Sequence, residues 1–208
     1  MSAITGTLRV EGRPVGGQDV LAVAGDQVVA STLSDDLGRF SLDAPDGATV
    51  LGKVRTGAYG VVTRVAQAGD GGADLDLDGP LAALEIVLES EHELPARLDL
   101  TLDPVRLAGV PDELMLYTRM RSPGVMEGHF GRGVIDGARA SVRVQPGLWR
   151  IAASSIDPDR THVRSLVTGR GRVGDDEVEG DGAGGVAVDL SRDCRVTLLL
   201  RAALQSEL

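Results

Sequence analysis

Asp36-Leu-Gly-Arg-Phe-Ser-Leu-Asp-Ala-Pro-Asp-Gly47 reads as a turn, a short strand over Arg39-Phe-Ser-Leu42, and a second turn built on Pro45 and Gly47. Apolar and polar side chains alternate through it, the period of a strand with one face buried. One hundred residues on, Asp136-Gly-Ala-Arg-Ala-Ser-Val-Arg-Val-Gln-Pro-Gly147 aligns with it without a gap, matching Asp, Arg, Ser and Gly and keeping the same inward parity. The two segments read as related hairpins in two similar domains.

Outward from these hairpins, twenty-eight glycines and nine prolines punctuate the chain of 208 residues. The pieces between them alternate with period two, the pattern of an all-β protein. Strands are expected at Ile4–Val10, Asp19–Val23, Val28–Thr32, Arg39–Leu42, Thr49–Val54, Gly60–Val65 and Leu84–Leu88. A second series follows at Ala96–Leu102, Leu114–Thr118, Ala140–Val144, Trp149–Ala153, Val163–Val167, Val186–Leu190 and Arg195–Leu200. The acidic stretch Glu89-Ser-Glu-His-Glu-Leu-Pro95 reads as a linker, placing the boundary near residue 92. The expected fold is all-β: two tandem antiparallel β-sandwich domains of prealbumin or Ig-like type, residues 1–91 and 92–208. The Gly- and Asp-rich stretch Gly169–Gly185 reads as a mobile loop.

The first part of the chain resembles the carboxypeptidase regulatory-like domain, a prealbumin-type seven-stranded sandwich. Ile4-x-Gly6-x-Leu8 is similar to its opening strand, and Gly12-x-Pro14-Val15-x-Gly17-x-x-Val20 to its first turn and second strand. Thr32, Asp35, Asp36, Gly38, Phe40 and Leu42 match its hairpin, completed by Pro45 and Gly47. The chain departs after Gly47, where the family places an aromatic and Ala48 and Thr49 stand here. The resemblance covers about residues 1–65, extending toward 90, and implies a non-catalytic appendage that stabilises, spaces or binds. Beyond residue 95 only a generic sandwich pattern remains.

Composition narrows the function classes. The formal net charge is −10, with 31 acidic and 21 basic side chains. That argues against a nucleic-acid or anionic membrane surface, since both draw affinity from clustered Lys and Arg. Residues 1–90 hold six basic and thirteen acidic side chains, residues 91–208 fifteen and eighteen, so the second half is nearer neutral. Cys194, the one cysteine, excludes an intramolecular disulfide. The opening residues carry no basic leader followed by an apolar run, which predicts a soluble, non-exported, cytoplasmic protein.

Two motifs bear on chemistry. Asp74-Leu-Asp-Leu-Asp-Gly79-Pro-Leu-Ala-Ala-Leu-Glu85 satisfies the calcium-loop spacing, with Asp74, Asp76, Asp78 and Glu85 as oxygen donors. Its flanks cannot form the helices of an EF-hand, so an edge strand with solvated aspartates is the favoured reading and no metal is expected. Gly169-Arg-Gly-Arg-Val-Gly174 matches the dinucleotide fingerprint but lacks a following helix, because Asp175-Asp-Glu-Val-Glu-Gly-Asp-Gly182 comes next. His92, His129 and His162 fall in no metal-ligand spacing, and no Gly-x-Ser-x-Gly elbow occurs.

The third feature is a partner surface. Arg119, Arg121 and Arg132 bracket an irregular stretch containing Met126 and Phe130, the mixture of Arg, Met and aromatic enriched at protein interfaces. The expected function is a non-catalytic binding, scaffold or accessory component with a protein partner, such as a peptidase or other enzyme. No cofactor, nucleic acid or membrane is expected. A calcium-dependent adhesion or peptidase-accessory module is the alternative class, and a hydrolase with an unrecognised site the outside one.

Overall fold

In a computed structural model of the chain, the residues described are 2–56, 60–67, 72–77, 81–94, 97–122, 125–126, 132–136, 138–155, 166–182 and 184–202. The chain divides into two compact units: Met1–Arg55, Val61–Pro80 and Arg106–Gly128 form the first, and Thr56–Gly60, Leu81–Val105 and His129–Leu208 the second.

In the first unit, strands β1 (Ser2–Val10), β2 (Arg13–Pro14) and β5 (Arg39–Ala44) make one sheet in the order β2-β1-β5, and β8 (Leu75–Leu77) adds to β1 in parallel. The opposing sheet runs β4-β3-β6-β7, from β3 (Asp19–Ala24), β4 (Gln27–Leu33), β6 (Thr49–Thr56) and β7 (Gly60–Gln67). Glu11 and Gly12, both at positive φ, turn β1 into β2, the backbone twist that suits a two-residue hairpin. The sheets close on each other at Gly52 of β6, where a Cβ would come to 2.8 Å from the methyls of both Leu8 and Leu75. Phe40 is buried beside them at 5% exposure, as the sandwich reading requires. It lies across the ladder from Gly6, which leaves room for the ring.

The second unit contains β9 (Ala82–Ser90), β10 (Arg97–Leu107, up to Val105), β13 (Arg132–Asp136), β14 (Arg139–Val144), β15 (Gly147–Ser155), β16 (Leu166–Val173), β17 (Asp176–Glu179), β18 (Val186–Asp189) and β19 (Cys194–Ala202). Among the described residues, the remaining strands β11 (Met120–Ser122) and β12 (Val125–Met126) pair with each other alone. The nine-stranded sheet runs β13-β10-β15-β16-β19-β9-β14, with β17 on β16 and β18 on β15. Alternate residues of each long strand point inward: Leu84, Ile86 and Leu88; Leu98, Leu100 and Leu102; Val196, Leu198 and Leu200 are all buried.

The two units repeat one topology. Strand β1 pairs antiparallel with β5 and parallel with β8; β9 pairs antiparallel with β14 and parallel with β19. Likewise β3 lies between β4 and β6 as β10 lies between β13 and β15, and β6 adjoins β7 as β15 adjoins β16. The correspondence holds to the residue: Ile4 faces Leu42 and Leu84 faces Val142, while Leu8 N–H donates to Gly38 C=O (2.7 Å) and Leu88 N–H to Ala138 C=O (2.9 Å). The hairpins matched in the sequence at Asp36–Gly47 and Asp136–Gly147 therefore contain equivalent strands.

Several expectations change. The strand at Leu84–Leu88, read as the last of the first sandwich, is β9, hydrogen-bonded to β14 and β19 in the second unit. Sequence order alone hides this, because the strand opens the second repeat rather than closing the first. Glu89 and Ser90 continue β9, so the acidic stretch is in part strand. Leu114–Thr118 is not a strand: short 3-10 turns occupy Asp112–Leu114 and Tyr117–Arg119, and the Thr118 hydroxyl donates to Met115 C=O at 2.6 Å. Trp149, expected from the sequence to hold in the second domain the place that Phe40 holds in the first, is fully buried and its indole N–H donates to Gln145 C=O at 2.9 Å, but it stands on β15. The place equivalent to Phe40 belongs to Ala140, which faces Ile86 where Phe40 faces Gly6, so the large residue has changed strands. Finally, the expected mobile stretch begins with the β16–β17 hairpin, closed at Gly174 with φ 62°. The fingerprint glycines Gly169 and Gly171 sit inside β16, and no helix follows them.

Candidate functional site

The repeats differ most at one connection. In the first unit β3 reaches β4 through the turn Gly25-Asp26; in the second, residues 108–131 stand at the equivalent place between β10 and β13. From Arg106 to Gly128 this insertion belongs to the first unit. Leu107, Val110, Leu114 and Tyr117 are buried, and the Tyr117 hydroxyl donates to Asp26 C=O in the β3–β4 turn. Strand β3 lacks alternation. Val20 and Ala22 share the inner face with Gly52, whereas Leu21 and Val23 lie on the other face and are buried too. Strand β11 of the insertion lies close to β3 and β4.

The partner-surface residues Arg119, Arg121 and Met126 all lie in this insertion, on the second 3-10 turn, β11 and β12, with Met126 opposite Met120. Arg132 opens β13 opposite Thr101 in the second unit. Phe130 lies outside the described residues, and the side chains of the other four are not described. Leu116, which the sequence reading passed over, is 54% exposed within the insertion although Leu114 and Tyr117 on either side are buried. The missed signal was the run of apolar residues Leu114-Met-Leu-Tyr117, taken as a strand.

The calcium spacing is spread over other duties. Asp74 Oδ1 accepts the Thr7 N–H at 2.9 Å while Leu75 beside it is fully buried, as an edge strand demands. Glu85 projects from β9, where its Oε2 lies 2.7 Å from Arg195 Nη2 and its Oε1 3.9 Å from Arg139 Nη1. Asp76 is half-buried on β8, and Asp78 lies outside the described residues. Asp74 and Asp76 fall in the first unit and Glu85 in the second. Among the described residues, no group of three His, Cys, Asp or Glu side chains could hold a metal ion. Millimolar calcium is therefore expected to leave the melting temperature unchanged and to give no binding heat. A titration heat that disappears in Asp76→Ala would reverse this.

Cys194 is half-buried at the start of β19, and burial, followed by the negative charge of Asp193, pushes its thiol up from the ordinary range. Both causes disfavour the thiolate and so oppose a nucleophilic role. Asp193 itself accepts the Ala83 N–H at 2.7 Å, tying the start of β19 to β9. His92 is half-buried, its N–H donating to the Ser90 hydroxyl at 3.0 Å; His129 and His162 lie outside the described residues. No helix among the described residues is long and apolar enough to cross a membrane.

No family model matches the chain, and no curated protein does. Among solved structures it is similar to the minor pilin GBS52 of Streptococcus agalactiae, 10% identical, with 99% of this chain and 98% of that one covered at a TM-score of 0.34. It is similar also to a single B repeat unit of the collagen-binding surface protein of Staphylococcus aureus, 8% identical, with 95% and 97% covered at 0.28. The Bacillus anthracis TIE protein is 12% identical at 0.32; the match takes in 97% of this chain but only 34% of that one. The chain thus spans about a third of that protein's length. The cytoplasmic placement expected from the sequence is corrected here, because the matched structures are pilins and a surface protein. Nothing in these likenesses points to a peptidase partner. At such identities they speak to fold alone: the chain is an all-β protein of tandem prealbumin-like or Ig-like sandwiches, with parallel pairing at β1–β8 and β9–β19, and the likeness extends to that coarse fold and not to the carboxypeptidase regulatory-like family.

Proposed function

We propose that the protein is a non-catalytic binding or scaffolding component built of two sandwich modules, and that its protein partner docks on the insertion between β10 and β13. The observation behind this reading is the comparison of the repeats. Their shared strands pack apolar cores, which serve the fold; the insertion is the large addition, and functions on common folds are carried by such grafted segments. Its first part is an anchor, through Val110, Leu114 and Tyr117. Its later part holds Arg119, Arg121 and Met126, Leu116 supplies an exposed apolar side chain in the same insertion, and Phe130 and Arg132 follow in the sequence. An interface core wants apolar anchors framed by charges that steer encounter, and the arginines suit an acidic-rimmed protein surface.

The double variant Phe130→Ser with Arg121→Glu is expected to lose the partner in a quantitative pull-down while keeping the wild-type melting temperature. Retention of the partner, or loss of folding, would make the whole segment part of the anchor and remove the reading. A Tyr117→Phe control should lower stability by about 1 kcal/mol through its lost hydrogen bond and leave binding in place.

A further inference from the structure

In the first unit, one sheet face turned away from the sandwich core is buried nonetheless. Leu21 of β3 and Leu51, its cross-strand neighbour on β6, are fully buried there, and Val23 is 3% exposed. The outer face of an antiparallel sheet is ordinarily wetted, so another part of the chain lies over this one. The insertion is placed to do so. The Tyr117 hydroxyl donates to Asp26 C=O, three residues past Val23, and β11 lies close to β3 and β4. Val110, Leu114 and Thr118 are buried along with Tyr117.

Sheet and insertion are held by different means. Strand β3 shares continuous ladders with β4 and β6. In the insertion, the N–H groups of Val110, Leu114 and Met115 donate to the nearby carbonyls of Leu107, Pro111 and Asp112, and the Thr118 hydroxyl donates to Met115 C=O. Buried side chains and the Tyr117–Asp26 bond fasten it to the first unit. The first repeat makes the same connection with Gly25-Asp26, so the sandwich topology does not require the added segment. A segment fastened in this way opens at a lower free energy than a laddered sheet.

The geometry points to residues 108–122 as a latch over the outer face of β3, which opens as a unit while both sheets of the first sandwich stay formed and bares Leu21 and Val23. The latch does not depend on a partner. Arg119 and Arg121 stand on it, so its opening moves two of the residues proposed for docking.

The test uses the full chain with Cys194→Ser, so that one introduced thiol reports alone: Val23→Cys on the outer face of β3, or Val20→Cys on the inner face. Under native conditions a thiol reagent is expected to label Val23→Cys at least about tenfold faster than Val20→Cys, since the first needs only the latch to open and the second needs the sheets to part. Tyr117→Phe, which removes the bond to Asp26, should speed labelling of Val23→Cys about fivefold. Ile4→Val weakens the inner core, which stays packed when the latch is open. It should speed Val20→Cys by about the same factor and leave Val23→Cys unchanged. Equal labelling of the two positions, or acceleration of both by Ile4→Val, would make the insertion a fixed layer of the first unit and overturn the latch. Fast labelling of Val23→Cys that Tyr117→Phe does not change would mean that the insertion is not what covers the face. In the unsubstituted chain, hydrogen exchange under rising denaturant should release the Leu114 and Met115 amides ahead of those of Val20 and Ala22; release of all four together counts against the latch in the same way.

Discussion

Phe40→Ala is expected to lower the stability of the first unit by about 3–5 kcal/mol, one of the two largest effects of any single change considered. The ring is 5% exposed between sheets otherwise filled by Ile4, Leu8, Val20, Leu42 and Leu75. Its removal leaves a void the neighbours cannot close, since Gly6 across the ladder has no side chain to move in. The obvious repair borrows from the second unit, where Ile86 faces Ala140. It is expected to fail: with the ring gone, a Cβ on residue 6 would still collide with the Ala73 carbonyl oxygen, and backbone does not yield. Phe40→Ala with Gly6→Ile should thus be no more stable than Phe40→Ala alone. Calorimetry on the three proteins checks this. A loss below about 1 kcal/mol for the single variant, or recovery in the double, would contradict the packing described.

Trp149→Ala is expected to cost the second unit a similar 3–5 kcal/mol, from cavity formation around a fully buried indole. Trp149→Phe separates packing from hydrogen bonding. It keeps most of the apolar volume but removes the donor to Gln145 C=O, and should cost about 1–3 kcal/mol. Because Trp149 is the sole tryptophan, wild-type emission reports on the second unit alone. It should be blue-shifted in the folded protein and move to the red on unfolding. Phe40→Ala, acting in the other unit, should leave the folded-state emission maximum in place. An emission maximum already at the position of solvated indole would overturn the burial of Trp149.

Local pattern carried the fold class and the strands that alternate, because a half-buried strand writes its two faces into every second residue. Arg39–Ala44 and Arg139–Val144 were legible for that reason, and their common spacing of turn residues exposed the repeat. The positive-φ turn at Gly38 was legible as well, since few other residues adopt that backbone freely. What alternation cannot carry is which strand pairs with which. Ala82–Ser90 reads the same whether it closes one sandwich or opens the next, and long-range pairing to Cys194–Ala202 decided the matter. Nor could it reveal the role of Leu107–Tyr117. A strand such as Asp19–Ala24, buried on both faces, shows an unbroken apolar run instead of alternation, and β11, which lies close to it, stands far along the chain. The candidate surface divides in the same way. Charge and residue type marked the insertion from the sequence, whereas the attachment of Tyr117 to the Asp26 carbonyl joins residues far apart in the chain and is decided only by the fold.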